Sequence, residues 1–310
     1  ITVKVVFMGT PEYAAETLKA LIASEHSVVG VFAQPDKPAG RKQILTPPPV
    51  KLLAEENGIP VFQPKTLKDG EALKTIKKLA PDIIVVVAYG KILPQEILSF
   101  PKYGCINGHA SLLPKYRGAS PIQWSIVCGE KKTGITVMQM DAGMDTGDIL
   151  EVRETEIKNG ETAGELFERL APISAELILK TLDDIINGDI CPEKQDESQA
   201  SYAPILKKEM ARLDFRKNAS ELECAVRGFN PWPCAYTILE GKRVKILKCA
   251  VGGETSFPAG SVTDGDTSLQ IACGDGKKLR ILEIQPEGGK IMSAENWLRG
   301  HKIAAGTVAE

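Results

Sequence analysis

Through residues 1 to 190 the chain alternates short apolar runs of β-forming residues with segments of helical period. Val3 to Met8 reads as a strand, Pro11 to about Ser24 as an amphipathic helix and Val28 to Ala33 as a second strand, each bounded by turn residues. This is the grammar of a βαβ unit. The pattern then predicts a helix near Pro49 to Asn57, a short strand at Pro60 to Phe62 and a helix near Glu71 to Leu79. The unbroken run Ile83 to Ala88 is apolar on both faces, which suits a central strand of a parallel sheet covered on both sides. Further strands are predicted at Gly104 to Ile106 and Ile135 to Met140, with a helix at Pro121 to Cys128 between them and a long helix from about Thr162 to Asn187. The fold class is therefore α/β, with a doubly wound parallel sheet whose ligands bind at the carboxyl ends of the strands.

From Gly188 to Pro204 the sequence is polar and lacks a period, so it reads as a linker. Beyond it, short strands recur with Gly-rich turns: Ala235 to Leu239, Arg243 to Ala250, Gly260 to Thr263, Leu269 to Ala272 and Leu279 to Gln285. A small β-barrel is expected. The predicted organisation is thus a first domain over residues 1–189, a linker over 190–205 and a second domain over 206–310.

Composition narrows the class. With 310 residues, 43% hydrophobic and 25% charged, the chain can bury a sizeable core, and disorder is excluded as its main state. The longest aliphatic stretch falls far short of the ~20 residues that span a bilayer, and no charged-then-apolar leader opens the sequence. A soluble, cytoplasmic protein without membrane attachment is expected. Seven Cys without a CxxC pair argue for reduced thiols. His26, His109 and His301 are the only histidines, and no Cys or His cluster has ligand spacing, so no metal is expected. Up to residue 205 there are 22 basic and 27 acidic residues, and after it 16 and 13, so the two parts carry −5 and +3. The basic excess fits either contact with a polyanion or an ordinary solvated surface.

The densest constellation of chemistry is Asn107-Gly-His109-Ala-Ser111-Leu112-Leu113-Pro114-Lys-Tyr-Arg117-Gly118, where a predicted strand runs directly into polar residues. Asn107 and His109, two apart on an extended segment, project to one side, so an amide donor and an imidazole can converge on one carbonyl. The segment Met140-Asp141-Ala-Gly143-Met-Asp145-Thr146-Gly147-Asp148 adds acids on a loop that its glycines allow to fold. An Asn, a His and an Asp suffice for acyl transfer without a covalent nucleophile. Asn-Gly is also a common turn dipeptide, a lone His is often a satisfied polar residue, and Asp145 by itself reads equally as a loop or cap carboxylate. The residues alone leave both readings open.

Two further segments stand out. Asp36 to Pro49 is a long connection holding Lys37, Arg41 and Lys42 and a Gly40 hinge, able to reach a phosphate backbone or to form a solvated surface loop. Arg227 to Pro233 sets Phe229 and Trp232 among prolines, as a packed corner or as a stacking platform for a base. The turn Met8-Gly9-Thr10-Pro11 is not the GxGxxG fingerprint, which disfavours a nicotinamide dehydrogenase.

Taken together, Met8 to Pro11, Gln34-Pro-Asp-Lys-Pro-Ala-Gly-Arg41, Asn107 to Gly118, Met140 to Asp148, Ala211 to Phe215 and Arg227 to Pro233 resemble, in order and over nearly the whole chain, the folate-dependent formyltransferases. The resemblance implies a Rossmann-like N-terminal domain that binds 10-formyltetrahydrofolate and an OB-like C-terminal barrel that helps hold tRNA. It implies catalytic roles for Asn107, His109 and Asp145, and folate binding by Ser111, Leu112, Leu113 and Pro114. Arg41 matches a basic residue of a loop that engages the tRNA acceptor end, with Lys37 and Lys42 adding charge. The implied reaction is formyl transfer to the α-amine of methionine esterified to initiator tRNA, at the start of protein synthesis. One departure is Gly108, where the family more often carries a side chain.

Rival readings are a formyltransferase acting on a sugar-nucleotide amine or a purine precursor, or a formyl-folate hydrolase. From other classes come a non-catalytic RNA-binding protein and a nucleotide-binding oxidoreductase. A monomer is expected, because no exposed apolar helix or heptad seam is evident.

Overall fold

The computed structural model describes residues 2–40 and 42–310; Ile1 and Arg41 lie outside the described residues. Along the chain run β1 (Lys4–Gly9), α1 (Glu12–Ala23), β2 (Ser27–Phe32), β3 (Lys37–Ala39), β4 (Ile44–Thr46), α2 (Pro49–Glu56), β5 (Val61–Phe62), α3 (Glu71–Leu79), β6 (Ile83–Val87) and α4 (Gln95–Leu98). There follow β7 (Cys105–His109), β8 (Arg117–Gly118), α5 (Pro121–Val127), β9 (Lys132–Gln139), β10 (Ile149–Glu156), α6 (Ala163–Asn187) and β11 (Tyr202–Ala203). The last elements are α7 (Ala219–Gly228), β12 (Tyr236–Leu239), β13 (Lys242–Glu254), β14 (Val262–Asp264), β15 (Leu269–Ala272), β16 (Lys277–Pro286), β17 (Met292–Ser293) and α8 (Ala294–Leu298). Packing divides the chain into two compact units. One comprises Ile1–Gly118, Thr133–Thr155 and Phe167–Tyr202, the other Ala119–Lys132, Glu156–Leu166 and Ala203–Glu310.

The first unit is built on a seven-stranded sheet in the order β10-β9-β7-β6-β1-β2-β5. All five residues of β6 are buried, as the two-faced apolar run requires of a central strand. The strands β5, β2, β1, β6 and β7 are parallel. β9 turns antiparallel to β7, so the sheet is mixed at that edge. β10 is a strand that the apolar pattern does not announce: only Leu150 of it is buried, and its remaining positions alternate between half-buried and exposed. The strand order reverses around β1, which opens a crevice at the carboxyl ends of its neighbours.

β7 extends further than the apolar run suggests and includes Asn107, Gly108 and His109. Its partners are regular: Asn107 faces Val86 of β6 and Met138 of β9, and Gly108 faces Val137. A Cβ on Gly108 would stand 2.6 Å from Ile178 Cδ1 and 3.1 Å from Ser174 Oγ, so the missing side chain is the space that α6 fills. The strand keeps its register without a side chain there.

The turn after β7 is held from β9. Thr136 Oγ1 donates to the Ser111 carbonyl at 2.7 Å and accepts from the Leu113 N–H at 3.1 Å. Ser111 Oγ donates to the Lys115 carbonyl at 2.6 Å. Thr136 and Ser111 are fully buried, so water cannot replace these partners.

In the second unit, antiparallel strands run in the order β12-β13-β16-β15-β14, with β17 beside β16. Register shifts near Lys248 and between Val251 and Glu254 curl the long β13–β16 pair. The tail joins the two edges of this curled sheet. Glu310 exchanges backbone hydrogen bonds with Ile238 of β12 at 2.8 and 3.0 Å, while Val262 N–H and Gly306 N–H bond to Thr307 and Val262 carbonyls at 2.8 Å. α5 packs on α7 at Gly228, where a Cβ would meet Val127 Cγ2 at 2.4 Å. Phe229 is buried edge-on to Trp124, whereas Trp232 is 52% exposed. The corner reading thus applies to Phe229 and leaves Trp232 at the surface. Among the described residues no helix is long and apolar enough to cross a membrane.

Thr136→Val keeps the shape but strips one acceptor and one donor of a buried partner. It should lower stability by about 2 kcal/mol, read from urea unfolding midpoints at unchanged m-value. A loss below about 0.5 kcal/mol would mean that the turn is held by something other than Thr136.

Candidate active site

The carboxyl end of β7 presents Asn107, half-buried, and His109, buried. His109 Nε2 lies 2.8 Å from the Tyr116 carbonyl oxygen. A carbonyl only accepts, so Nε2 carries the hydrogen, and Nδ1 is the nitrogen left to take or give a proton. Tyr116 reaches this position with φ 58°, in the left-handed region, so the turn is bent to aim its carbonyl at the ring.

Asp145 arrives from the β9–β10 loop. Gln139, at the end of β9, faces Ile106, and the loop then carries Asp145 Oδ2 to 3.8 Å from His109 Nδ1. That is an ion-pair distance and longer than a hydrogen bond, so the imidazole is oriented by Tyr116 and faced by the carboxylate. The carboxylate has its own anchor: the Gly118 N–H donates to Asp145 Oδ2 at 2.7 Å. Asp145 itself has φ 56°. Gly147 is required by space, since a Cβ there would lie 1.6 Å from the Gln139 carbonyl oxygen. Asp141 Oδ1 ties the loop internally, accepting from Gly143 N at 3.0 Å and Thr146 Oγ1 at 2.7 Å.

The structure thus brings Asn107, His109 and Asp145 to one place. Ser111 and Leu113 are buried in the turn, and Leu112 and Pro114 are half-buried. The Ser111 hydroxyl donates to the Lys115 carbonyl, so its hydrogen is spent within the turn. The segment read as a loop from Asp36 to Pro49 forms the hairpin β3–β4, with Lys37 opposite Thr46 and Ala39 opposite Ile44. Lys37 and Lys42 are exposed, as are Ile44 and Leu45; Arg41 lies outside the described residues. At the root of the hairpin Asp36 accepts from Gln63 Nε2 at 2.7 Å and from Lys51 Nζ at 3.0 and 3.1 Å, and these bonds hold its carboxyl below the usual range. Burial, then the nearby charge of Lys37, pulls the Lys91 ammonium below its ordinary value.

Sequence reasoning missed the groups that hold the trio in place. Arg117 is 0% exposed, and its guanidinium donates to Gln195 Oε1 at 2.8 and 3.1 Å and to both Glu197 oxygens at 2.7 and 3.0 Å. Gln195 Nε2 in turn donates to the Asp145 carbonyl at 2.8 Å and the Gly147 carbonyl at 2.7 Å. Ser201 Oγ accepts from the Tyr116 N–H at 2.9 Å. All three partners come from the stretch that reads as a linker, because polar residues without a period give no sign of what they bond.

Among the described residues no group of three or more His, Cys, Asp or Glu is arranged to hold a metal ion. Residues 3–182 match the family described as formyl transferase, and residues 205–302 match its C-terminal domain. A methionyl-tRNA formyltransferase of Geobacter sulfurreducens is 48% identical over 304 residues, 98% of this chain and 96% of that protein. One of Caldanaerobacter subterraneus is 47% identical over 310 residues, 98% of this chain and 99% of that protein. Among solved structures, an N-formyltransferase of Helicobacter canadensis in complex with folinic acid and dTDP-3-aminofucose superposes with a TM-score of 0.68 at 22% identity, covering 90% of this chain and 98% of that one. A methionyl-tRNA formyltransferase of Clostridium thermocellum gives 0.56 at 21% identity, covering 80% and 92%. Matching both halves of the family and carrying Asn107, His109 and Asp145 together at the end of β7, the chain belongs to the formyl transferases.

Proposed function

We propose that this chain transfers a formyl group from 10-formyltetrahydrofolate to the α-amine of methionyl initiator tRNA. The observation that carries the reading is the trio itself: an amide, an imidazole with one nitrogen fixed by a carbonyl, and a carboxylate 3.8 Å from the other nitrogen. High identity to methionyl-tRNA formyltransferases over nearly the full length of both chains supports the acceptor.

10-Formyltetrahydrofolate supplies the formyl carbon, bound to its N10. The half-buried Leu112 and Pro114, on a turn fixed from beneath by Thr136, offer the apolar surface that a flat heterocycle needs. The neutral α-amine attacks the formyl carbon, the new C–N bond forms and the bond to N10 breaks. One proton leaves the amine and one arrives at N10. Asn107 donates to the formyl oxygen as it gains negative charge, and His109, once protonated at Nδ1, donates there too. Asp145 takes the proton that the amine releases and returns it by way of His109 Nδ1 to N10 as the C–N10 bond breaks, so the proton count closes. Lys37 and Lys42 on the exposed hairpin, with Arg41 from the same stretch of sequence, contact the phosphates of the acceptor end, and residues 206–310 add a second tRNA-binding surface. The working form in this reading is a monomer in the cytoplasm, acting on charged tRNA.

The direct test follows a labelled formyl group from 10-formyltetrahydrofolate to methionyl initiator tRNA, with uncharged tRNA and methionyl elongator tRNA as controls. Product on the charged initiator alone supports the reading, whereas folate hydrolysis without transfer moves the activity to a hydrolase. In the same assay Asp145→Asn or His109→Ala should lower kcat by on the order of 10² or more with KM little changed; near-normal turnover would remove these roles. Lys42→Ala and Arg41→Ala should each raise the KM for tRNA and flatten its dependence on salt, while folate binding stays intact. Identical salt dependence in variants and parent would remove the hairpin from tRNA recognition.

A further inference from the structure

The catalytic reading leaves unexplained why a fully buried guanidinium lies beside the site. Arg117 directs four hydrogen bonds at two residues, Gln195 and Glu197, and neither is part of the trio. Glu197 lies at the surface, its side chain 70% exposed, and closes the ion pair from the solvent side. Gln195 lies between Arg117 and the Asp145 loop. Its Oε1 accepts twice from Arg117, and the two N–H bonds of its Nε2 serve the carbonyls of Asp145 and Gly147. Every hydrogen-bonding position of the carboxamide nitrogen is used, and all of it is used on the backbone that carries the catalytic carboxylate.

That backbone needs holding. Asp145 has φ 56°, a conformation that a residue with a side chain rarely adopts unless its surroundings impose it. The Gly118 N–H fixes the carboxylate end of Asp145, and Gln195 fixes the main-chain end. β8, which contains both Arg117 and Gly118, therefore reaches Asp145 by two routes, directly through Gly118 and indirectly through Arg117 and Gln195. We infer that Gln195 is a positioning residue for the reaction: pinned by buried Arg117, it clamps the Asp145 and Gly147 carbonyls and so sets the carboxylate opposite His109 Nδ1. The kinetic part of this inference rests on the formyl-transfer reading; the clamping of the loop does not.

Two substitutions separate the clamp from mere packing. Gln195→Glu keeps an acceptor for Arg117 but loses both donated hydrogen bonds, and Gln195→Met keeps the volume and loses both functions. For each, kcat and both KM values are measured beside hydrogen exchange of the peptide covering residues 141–148, with Tm as a check on folding. The expected result for Gln195→Glu is a fall in kcat of tenfold or more, KM values within about twofold, and faster exchange in that loop, since small misplacements of a catalytic group cost large factors in rate. Adding Asp145→Asn should then reduce kcat by much less than it does in the parent, because the carboxylate is already misplaced. A parental kcat in Gln195→Glu overturns the inference, as does a fall in kcat with unchanged loop exchange. If the parent transfers no formyl group, the functional reading fails instead, and loop exchange in the two variants still decides whether Gln195 clamps Asp145.

Discussion

A guanidinium cannot be stripped of water unless its N–H groups meet acceptors, and the fully buried Arg117 imposes that condition on everything around it. It draws in Gln195 and Glu197 from a segment that has no hydrophobic reason to fold. Glu197 responds to the charge: the Arg117 guanidinium holds its carboxyl below the ordinary range. Once that segment is seated, Gln195 secures the Asp145 loop and Ser201 secures Tyr116, whose carbonyl fixes the His109 ring. The chain's ability to present an imidazole and a carboxylate to each other thus depends on how one buried cation is satisfied. Breaking such a pair from one side is costly, which couples the integrity of the site to local folding.

The sheet supplies the other half of the arrangement. β6, buried on both faces, fixes β7 beside it, and β7 delivers Asn107 and His109 in register. Because β9 runs antiparallel to β7, Thr136 comes to lie opposite His109 and can support the turn that follows it. The loop leaving β9 starts opposite Ile106 and doubles back to bring Asp145 to the ring. The carboxylate therefore travels along the strand, and its glycines mark where backbone passes too close to allow a side chain.

Much of this was legible in the sequence, for identifiable reasons. The apolar runs of β1, β2 and β6 and the helical periods of α1, α3 and α6 come from burial, which period reports directly. The strand end with Asn107 and His109 and the Gly-rich acidic loop with Asp145 were chemically conspicuous, but their residues alone left two readings open and the trio was picked out by the family resemblance; the structure brings the three together. β10 was not legible, since an edge strand with one buried residue gives no apolar contrast. α7 escaped too, although Asn218 and Glu221 form a capping box at its start. Gln195 and Glu197 were invisible for a deeper reason: a hydrogen bond formed across some 80 residues leaves no local pattern at either end.

Only three histidines occur in the chain, so the imidazole nitrogens of His109 can be observed one residue at a time. The most direct test of the site is therefore the 15N spectrum of the histidine-labelled protein, with His109→Asn to assign the signal, recorded where the ring is neutral. The account predicts a protonated Nε2, bonded to the Tyr116 carbonyl, and a bare Nδ1 facing Asp145. A ring protonated at Nδ1 with a bare Nε2 would set two acceptors, Nε2 and the Tyr116 carbonyl, against each other and contradict it.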